Sequence, residues 1–247
     1  MFLSNSMAVN NKLSTNNSSL LSPDKYGGRI GKPAKYWYII TLGLHVKEDI
    51  GVKFRTVFLS SSIPDDPRKD LLIEWGKWFA RLGLAPRSMG NLSFRTERGF
   101  VITATGIGLE TVDKDNLTEV VKVGEERGIP VISVNGKAVP SRESLLHREI
   151  YRIRPEINVV FHLHDRLVVE HADELNLLCT AGEQSPGSEE LAREVNRLLG
   201  LIGSARYLVI RGHGIISMGK TLEEAGRLVV DVNQMARDHV AGKMTEG

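Results

Sequence analysis

The sequence predicts an α/β fold in which one central sheet is covered by helices. Short segments rich in β-branched and aromatic residues, which favour strands, alternate along the chain with segments whose apolar residues recur at helical spacing. No internal repeat or heptad pattern interrupts this alternation. With 247 residues, 41% of them hydrophobic, the chain is long enough to bury a core without disulfides or a structural metal. These observations favour one main domain with an appendage.

The appendage is predicted to precede the main domain, which we place at residues 66–247. Residues 1–23 are rich in Ser and Asn and nearly uncharged, so we expect a disordered or loosely docked tail. Residues 24–65 are expected to form an N-terminal hairpin extension. Strand-like segments at 36–46 and 52–59, separated by a turn, indicate the two arms of that hairpin.

The main domain is predicted to begin with a helix and to continue with short strands. Asp66 can cap the helix, Pro67 suits its first position and Gly83 ends it. Between them, apolar side chains recur at helical spacing, at Leu71, Leu72, Trp75, Trp78, Phe79 and Leu82. Residues 90–136 then contain strand-like segments separated by glycines, namely NLSFRT, FVITAT and PVISVNG.

The rest of the main domain alternates helices with strands. A helix is predicted at 141–152, with Ser141 as its cap and an apolar inner face. A β-branched strand, a helix, a second strand and a closing amphipathic helix follow at 157–163, 189–199, 207–210 and 222–239. Interleaved elements of this kind indicate a single sheet with helices packed on it.

Charge and cysteine content exclude several classes of function. The 32 Lys and Arg nearly cancel the 30 Asp and Glu, which leaves a net charge of +2. This excess of positive charge is too small to indicate a nucleic-acid partner. Cys179 is the only cysteine, which excludes an intramolecular disulfide framework and a multi-cysteine zinc site. No run of roughly 18 apolar residues is present, so we predict no membrane partner. We therefore expect a cytoplasmic globular protein.

Three of the histidines are candidates for a metal site. His162 and His164 lie in the strand-like segment INVVFHLHD, and alternate residues of a strand point to the same face. His213 follows a second apolar segment between Gly212 and Gly214, which allow a sharp turn. Three neutral imidazoles with one position left open suit a divalent metal, most often zinc. A polar strand face or a hydrogen-bonded core pair is the alternative explanation for the first two histidines.

Two carboxylates lie near this pattern. Glu143, in the segment PSRES, is predicted in the first turn of a helix, where the macrodipole stabilises an ionised carboxylate. It is a candidate fourth ligand, general base or orienting group, or simply a residue that suits a helix start. Asp165 is predicted to point away from the histidine pair and is not a candidate ligand. The remaining histidines are interpreted as ordinary surface or core residues, namely His45, His147, His171 and His239.

Two glycine-containing turns complete the set of candidates. Gly90 and Asn91 open the segment NLSFR, and Thr105 and Gly106 close the segment VITATG. Exposed backbone N–H groups in such turns can form a nest that binds a phosphate. Neither turn carries a Walker or Rossmann fingerprint, and either one could be a turn and nothing more.

Taken in order, four blocks resemble the class II aldolase/adducin family, and most closely its fuculose-phosphate aldolase branch. These blocks are GNLSFR, FVITATGIGLETVDKDNLTEV, PSRESLLHREIYRIRPEINVVFHLHD and RGHGIISMGKTLEEA, and the resemblance covers about residues 66–239. It implies a three-layer α/β/α fold with a central, mostly antiparallel sheet. It also implies a homo-oligomer, commonly a tetramer, whose active sites lie between neighbouring subunits.

The same resemblance implies a zinc-dependent lyase acting on a sugar phosphate. It matches His162, His164 and His213 to the ligands of one Zn²⁺ per subunit, which Co²⁺ or Mn²⁺ could replace. It matches Glu143 to the acid/base carboxylate. The positions that it assigns to the substrate phosphate are Gly90, Asn91, Thr105, Gly106 and Ser141, and Arg142, where a second serine is usual in the family, is a further phosphate candidate.

Three hypotheses about function follow. The first is an aldolase that cleaves a ketose 1-phosphate to dihydroxyacetone phosphate and an aldehyde through a metal-stabilised enediolate. The second keeps the site but makes the reaction a dehydration, as in methylthioribulose-1-phosphate dehydratase. The third is a non-catalytic, adducin-like scaffold that binds partners through its hairpin. Arg142 and the lack of a tyrosine between His164 and Glu190 motivate this third hypothesis.

Overall fold

The computed structural model describes residues 45–47, 54–183, 185 and 187–245. The predicted tail at 1–23 and most of the first hairpin arm lie outside the described residues. The strands are β1 (His45–Lys47), β2 (Arg55–Ser60), β3 (Asn91–Arg95), β4 (Phe100–Thr103), β5 (Leu117–Glu126), β6 (Ile129–Gly136), β7 (Val159–Leu163), β8 (Tyr207–Ile210) and β9 (Gly214–Gly219). The helices are α1 (Arg68–Arg81), α2 (Ser144–Ile153), α3 (Arg166–His171), α4 (Glu189–Leu201) and α5 (Leu222–Thr245).

All of these strands join one sheet, in the order β1-β2-β6-β5-β4-β3-β7-β9-β8. Among the described strands, β2 and β6 are the one parallel pair, and all other neighbours are antiparallel. The predicted hairpin is confirmed in its described part, since β1 pairs antiparallel with β2 and places Val46 opposite Val57. Because β2 also pairs with β6, this hairpin extends one edge of the central sheet.

Helices cover both faces of the sheet, each over its own apolar core. One core joins α1, α3 and α5 to sheet residues such as Phe94 and Phe161, and the other joins α2 and α4 to residues such as Ile102 and Val160. Val160 and Phe161 are neighbours in β7 and lie in different cores because successive strand residues point to opposite faces. The predicted three-layer α/β/α architecture is therefore confirmed. None of the described helices has the length and apolar character required to cross a membrane.

Three elements of the structure are absent from the prediction made from sequence. In β5, buried residues at the start give way to an exposed end that contains Lys122 and Glu126, so no regular alternation marks the strand. Its pairing with β6 continues to Glu126 nonetheless. In β9, glycines at both ends resemble turn residues, although the whole strand is buried. Helix α3 contains only six residues, too few for a helical period to be recognised.

The start of α2 differs from the prediction in a way that matters for the site. Ser141 does not cap the helix, which begins at Ser144 with Glu143 in the capping position. The N–H of Ser141 instead donates to the carbonyl of Thr103 at 3.1 Å, and Pro140 forms an isolated bridge with Ala104. The chain therefore stays beside β4 until it reaches Glu143, which lies at the end of the sheet before the helix turns away.

Candidate active site

The three predicted histidines converge at one end of the sheet. His162 lies in β7, His164 follows the last residue of that strand, and His213 lies in the turn between β8 and β9. Nε2 of His162 is 3.2 Å from Nε2 of His164 and 3.0 Å from Nε2 of His213. The three ring centroids are 4.8 to 4.9 Å apart. The rings therefore present their nitrogens to a common point.

The pairing of β7 with β9 brings His213 to the other two histidines. Leu163 lies opposite Ile215 in this antiparallel pair, so the β8–β9 turn reaches the end of β7. A Cβ atom at Gly214 would lie 2.3 Å from the carbonyl oxygen of Leu163, and Gly212 has a φ of 68°. Only glycine fits this close approach and this left-handed backbone without strain. The flanking glycines predicted to shape the turn are thus required by its geometry.

The protonation state of the cluster suits metal binding. Burial lowers the pKa of His162, of His164 and of His213 to about 4 in each case, so all three rings are neutral at pH 7. Nδ1 of His162 lies 3.0 Å from the carbonyl oxygen of Ile215, to which it can only donate. The lone pair of this ring therefore resides on Nε2, the nitrogen that faces the other two histidines.

Glu143 lies directly against the histidine cluster. Its Oε2 atom is 3.2 Å from Nε2 of His162, and its Oε1 atom is 3.5 Å from Nε2 of His213. The side chain is buried, and the Nδ2 group of Asn91 donates to Oε2 at 2.7 Å. This contact follows from the sheet, since Asn91 in β3 lies opposite His162 in β7.

A divalent cation fits this set of groups. The Oε1 atom of Glu143 is buried and accepts no hydrogen bond from the described residues. A buried carboxylate beside neutral imidazoles lacks the positive charge that a buried anion requires. Three converging imidazole nitrogens are a ligand set typical of a catalytic divalent metal. Asp165 is not part of this set, because it caps α3 and accepts a 2.8 Å hydrogen bond from Asn233.

Among the residues predicted to bind a phosphate, Asn91 is the first residue of β3, and Asn91, Ser141 and Arg142 have side-chain hydrogen bonds. Ser141 accepts a 3.3 Å hydrogen bond from the N–H of Glu143 through its Oγ, so it and Asn91 both hold the carboxylate in place. Arg142 donates to Oγ1 of Thr105 at 3.4 Å. The two predicted glycines both have a left-handed backbone, with φ values of 81° at Gly90 and 72° at Gly106.

His147 is a buried core residue, one of the two environments predicted for it, and it lies in the neighbourhood of the site. It lies one turn after Glu143 on α2 and is fully buried. Its Nδ1 atom is 2.7 Å from Oγ of Ser93, which is also 2.7 Å from the hydroxyl of Tyr151. The signal in the sequence was the spacing of four residues between Glu143, His147 and Tyr151, which places all three on one helix face.

A second pair of histidines, interpreted from sequence as ordinary surface or core residues, shares a carboxylate. His171 and His239 both contact Glu174. The contact depends on the packing of α3 against α5, which no local pattern encodes.

The buried histidines predict a loss of stability in mild acid. Burial lowers the pKa of His147 to about 3 and that of His162 to about 4, whereas both are near 6.5 when unfolded. Above pH 6.5 these rings are neutral in both the folded and the unfolded protein. Between pH 6.5 and 4 the unfolded chain binds protons on them and the folded protein does not. The free energy of unfolding of metal-free protein should then fall by about 1.4 kcal/mol per pH unit for each ring. Urea unfolding curves of the metal-free protein at pH 7.5, 6.5 and 5.5 measure this free energy of unfolding at each pH.

A single variant identifies the source of that slope. His147→Gln removes a fully buried ring and should reduce the pH dependence by about one proton. A midpoint that stays constant from pH 7.5 to 5.5 in the metal-free protein would contradict the assignment of neutral, desolvated rings.

Comparison with protein families supports the architecture. The family model of the class II aldolase and adducin N-terminal domain matches residues 70–240. The crystal structure of L-fuculose-1-phosphate aldolase from Thermus thermophilus is similar with a TM-score of 0.59 at 24% identity, covering 72% of this chain and 95% of that one. At this identity the structural similarity concerns the fold alone.

Curated relatives include enzymes with more than one reaction. The chain is 29% identical over 181 residues to methylthioribulose-1-phosphate dehydratase of Pseudoalteromonas translucida, covering 63% of this chain and 82% of the relative. It is 30% identical over 169 residues to 5-methylthioribulose-1-phosphate/5-deoxyribulose-1-phosphate aldolase of Escherichia coli, covering 62% of this chain and 74% of the relative. It is 29% identical over 147 residues to L-fuculose phosphate aldolase of Methanococcus vannielii, covering 48% of this chain and 75% of the relative.

Proposed function

The chain belongs to the class II aldolase and adducin family, and we propose that it is a divalent-metal-dependent lyase that cleaves a ketose 1-phosphate to dihydroxyacetone phosphate and an aldehyde. The observation that carries this proposal is the carboxylate of Glu143, which lies 3.2 and 3.5 Å from two of three converging imidazoles. The relatives described above are named as aldolases and a dehydratase, all of them lyases. They support an enzyme over the scaffold hypothesis.

The three histidines would hold the metal, for which we propose Zn²⁺, with Co²⁺ or Mn²⁺ as substitutes. A bound divalent cation supplies Lewis-acid chemistry, which polarises a carbonyl oxygen and stabilises the negative charge that develops there. The Nε2 lone pair of His162 faces the cluster because Nδ1 donates to the Ile215 carbonyl. Neutral rings also spare the metal from competition with protons at pH 7.

Glu143 would move the proton at the carbon next to the carbonyl. In cleavage, the bond from this carbon to the departing carbon breaks. The hydroxyl group of the departing carbon gives up its proton as it becomes the aldehyde, and the carbon that stays on the phosphate half gains a proton. In dehydration, the same carbon must instead lose one. The Nδ2 group of Asn91 and the Oγ of Ser141 hold Glu143 by its side chain and its backbone, so the carboxylate is positioned before substrate arrives.

The substrate phosphate would bind at the turns next to Glu143. Gly90 and Gly106 have the left-handed backbone that occurs in anion nests. A Cβ atom built on Gly106 would meet no heavy atom within 4 Å other than those of its chain neighbours, so there is open space on that side of the turn. The guanidinium of Arg142, already in contact with Thr105, would supply a positive charge that can hold a phosphate through two hydrogen bonds. An assembly of several copies, a tetramer by resemblance, remains part of this proposal.

A dehydratase acting on the same class of substrate is the second candidate. The observation that favours it is the absence of a tyrosine between His164 and Glu190, a region from which the resemblance predicts a second proton donor for cleavage. Aldolase and dehydratase relatives alike are named for methylthioribulose 1-phosphate, which makes this ketose phosphate the first compound to test.

A product assay distinguishes the two candidates. Zinc-loaded protein is incubated with methylthioribulose 1-phosphate and a panel of other ketose 1-phosphates. The aldolase proposal expects dihydroxyacetone phosphate, detected by enzyme-coupled oxidation of NADH, and one deuterium on its new C–H bond when the reaction is run in D₂O. A product that keeps all carbons and has lost one water identifies the dehydratase. No turnover across the panel with full metal occupancy would reject both.

A further inference from the structure

A second group of metal-ligating side chains lies on the surface between α3 and α5. His171 is the last residue of α3, Glu174 lies in the turn that follows, and His239 lies on α5. One ligand atom from each of these residues lies within 4.8 Å of the others. The Oε2 atom of Glu174 is 3.0 Å from Nδ1 of His171 and 2.6 Å from Nε2 of His239.

The turn that carries Glu174 is held in place. Asp173 forms two hydrogen bonds with the guanidinium of Arg211, at 2.6 and 2.8 Å. The backbone N–H of Leu175 donates to the carbonyl of His171 at 3.0 Å, which keeps the turn continuous with α3. The carboxylate of Glu174 therefore projects toward α5 from a fixed backbone, and the three side chains need little ordering to bind a common ion.

The group already holds one positive charge. Nζ of Lys243 lies 2.6 Å from the same Oε2 atom of Glu174. The carboxylate of Glu174 therefore already pairs with one cation, which a metal ion would have to replace at Oε2.

We propose that His171, Glu174 and His239 form a second metal site that binds a divalent transition metal and joins α3 to α5. Two imidazole nitrogens and one carboxylate oxygen are a ligand set typical of Zn²⁺, with water in the remaining position. These ligands select zinc, nickel or copper over magnesium or calcium. Metal–ligand bonds of about 2.1 Å require ligand atoms about 3.4 Å apart, which small side-chain movements can reach. Lys243 competes with the metal for Oε2 of Glu174.

This site does not depend on the proposed catalytic function, since it shares no ligand with the cluster of His162, His164 and His213. The test is a metal count by equilibrium dialysis of the full chain against buffered Zn²⁺, with no substrate present. We expect two zinc ions per wild-type chain and one in Glu174→Gln. Glu170→Gln, the matched control on α3, removes a carboxylate that pairs with Arg166 and should keep two ions.

A gain of affinity provides a second readout that misfolding cannot imitate. Lys243→Gln removes the competing ammonium and should tighten zinc binding at the second site by roughly three- to tenfold. Lys220→Gln removes a lysine near the start of α5 that is not in contact with Glu174 and should have no effect. A zinc count that is the same in Glu174→Gln as in the wild type, or weaker zinc binding in Lys243→Gln, would each overturn the proposal.

Discussion

Replacing Glu143 with glutamine is expected to lower kcat by roughly 10²- to 10⁴-fold while the metal content of the histidine cluster stays the same. The amide has the size of the carboxylate, and its oxygen can still accept the hydrogen bond from Asn91. It cannot take up or deliver a proton at the carbon next to the carbonyl. Steady-state kinetics with the substrate identified by the product assay, together with metal analysis of the same preparation, measure both quantities.

Glu149→Gln is the matched control for this variant. Glu149 lies on α2 as well, but it pairs with Arg148 and Arg152 on the surface and touches no member of the histidine cluster. Its replacement should change kcat less than twofold, since exposed ion pairs contribute little. Full activity of Glu143→Gln would show that another group serves as the acid/base. Loss of metal in that variant would instead make Glu143 a ligand, which its distances to His162 and His213 also permit.

The histidine cluster is predictable from sequence because each of its parts is encoded locally. Alternation in a strand places His162 and His164 on one side, and glycines on both sides of His213 predict a sharp turn. The fold then has only to place β7 beside β9, which it does with Leu163 opposite Ile215. The convergence predicted from sequence is confirmed by the Nε2 distances of 3.0 and 3.2 Å.

The environment of Glu143 is less predictable because it depends on contacts that are distant in sequence. Asn91 is 52 residues away, and its side chain reaches Glu143 only because β3 pairs with β7. The prediction of a helix start at Ser141 was wrong for a related reason. The N–H of Ser141 donates to the carbonyl of Thr103 in β4, and Pro140 forms a bridge with Ala104 just after that strand. This tertiary pairing overrides the capping preference of serine.

The surface group around Glu174 shows the same limit more strongly. His239 is 65 residues from Glu174, and each of the residues involved is unremarkable within its own segment. Their proximity arises from the packing of α3 on α5, and α3 has too few residues to be recognised by its periodicity. Pairs of this kind can be found only once the helices are placed in three dimensions.

Replacing His213 with glutamine is expected to remove the active-site metal and to lower kcat/KM by more than about 100-fold. Replacing a residue that only orients a metal ligand lowers activity by up to about 100-fold. His213 would be a ligand itself, so its replacement should lower activity by more. The fold should tolerate the change, because the backbone N–H of His213 keeps its 3.0 Å hydrogen bond to Ile210. The glutamine side chain offers no imidazole nitrogen, so two histidines would remain for the metal.

Thermal unfolding separates loss of metal from loss of structure. Zinc at 100 times its Kd stabilises a one-site protein by about 2.7 kcal/mol, so a chelator should lower the Tm of the wild type measurably. In His213→Gln, the part of this shift that belongs to the active site should disappear, while the Tm of the two metal-free proteins should agree closely. His171→Gln should behave in the opposite way, with full activity and loss of the ion proposed at the surface site. A His213→Gln variant that keeps its metal and its turnover would show that these converging imidazoles serve packing rather than catalysis.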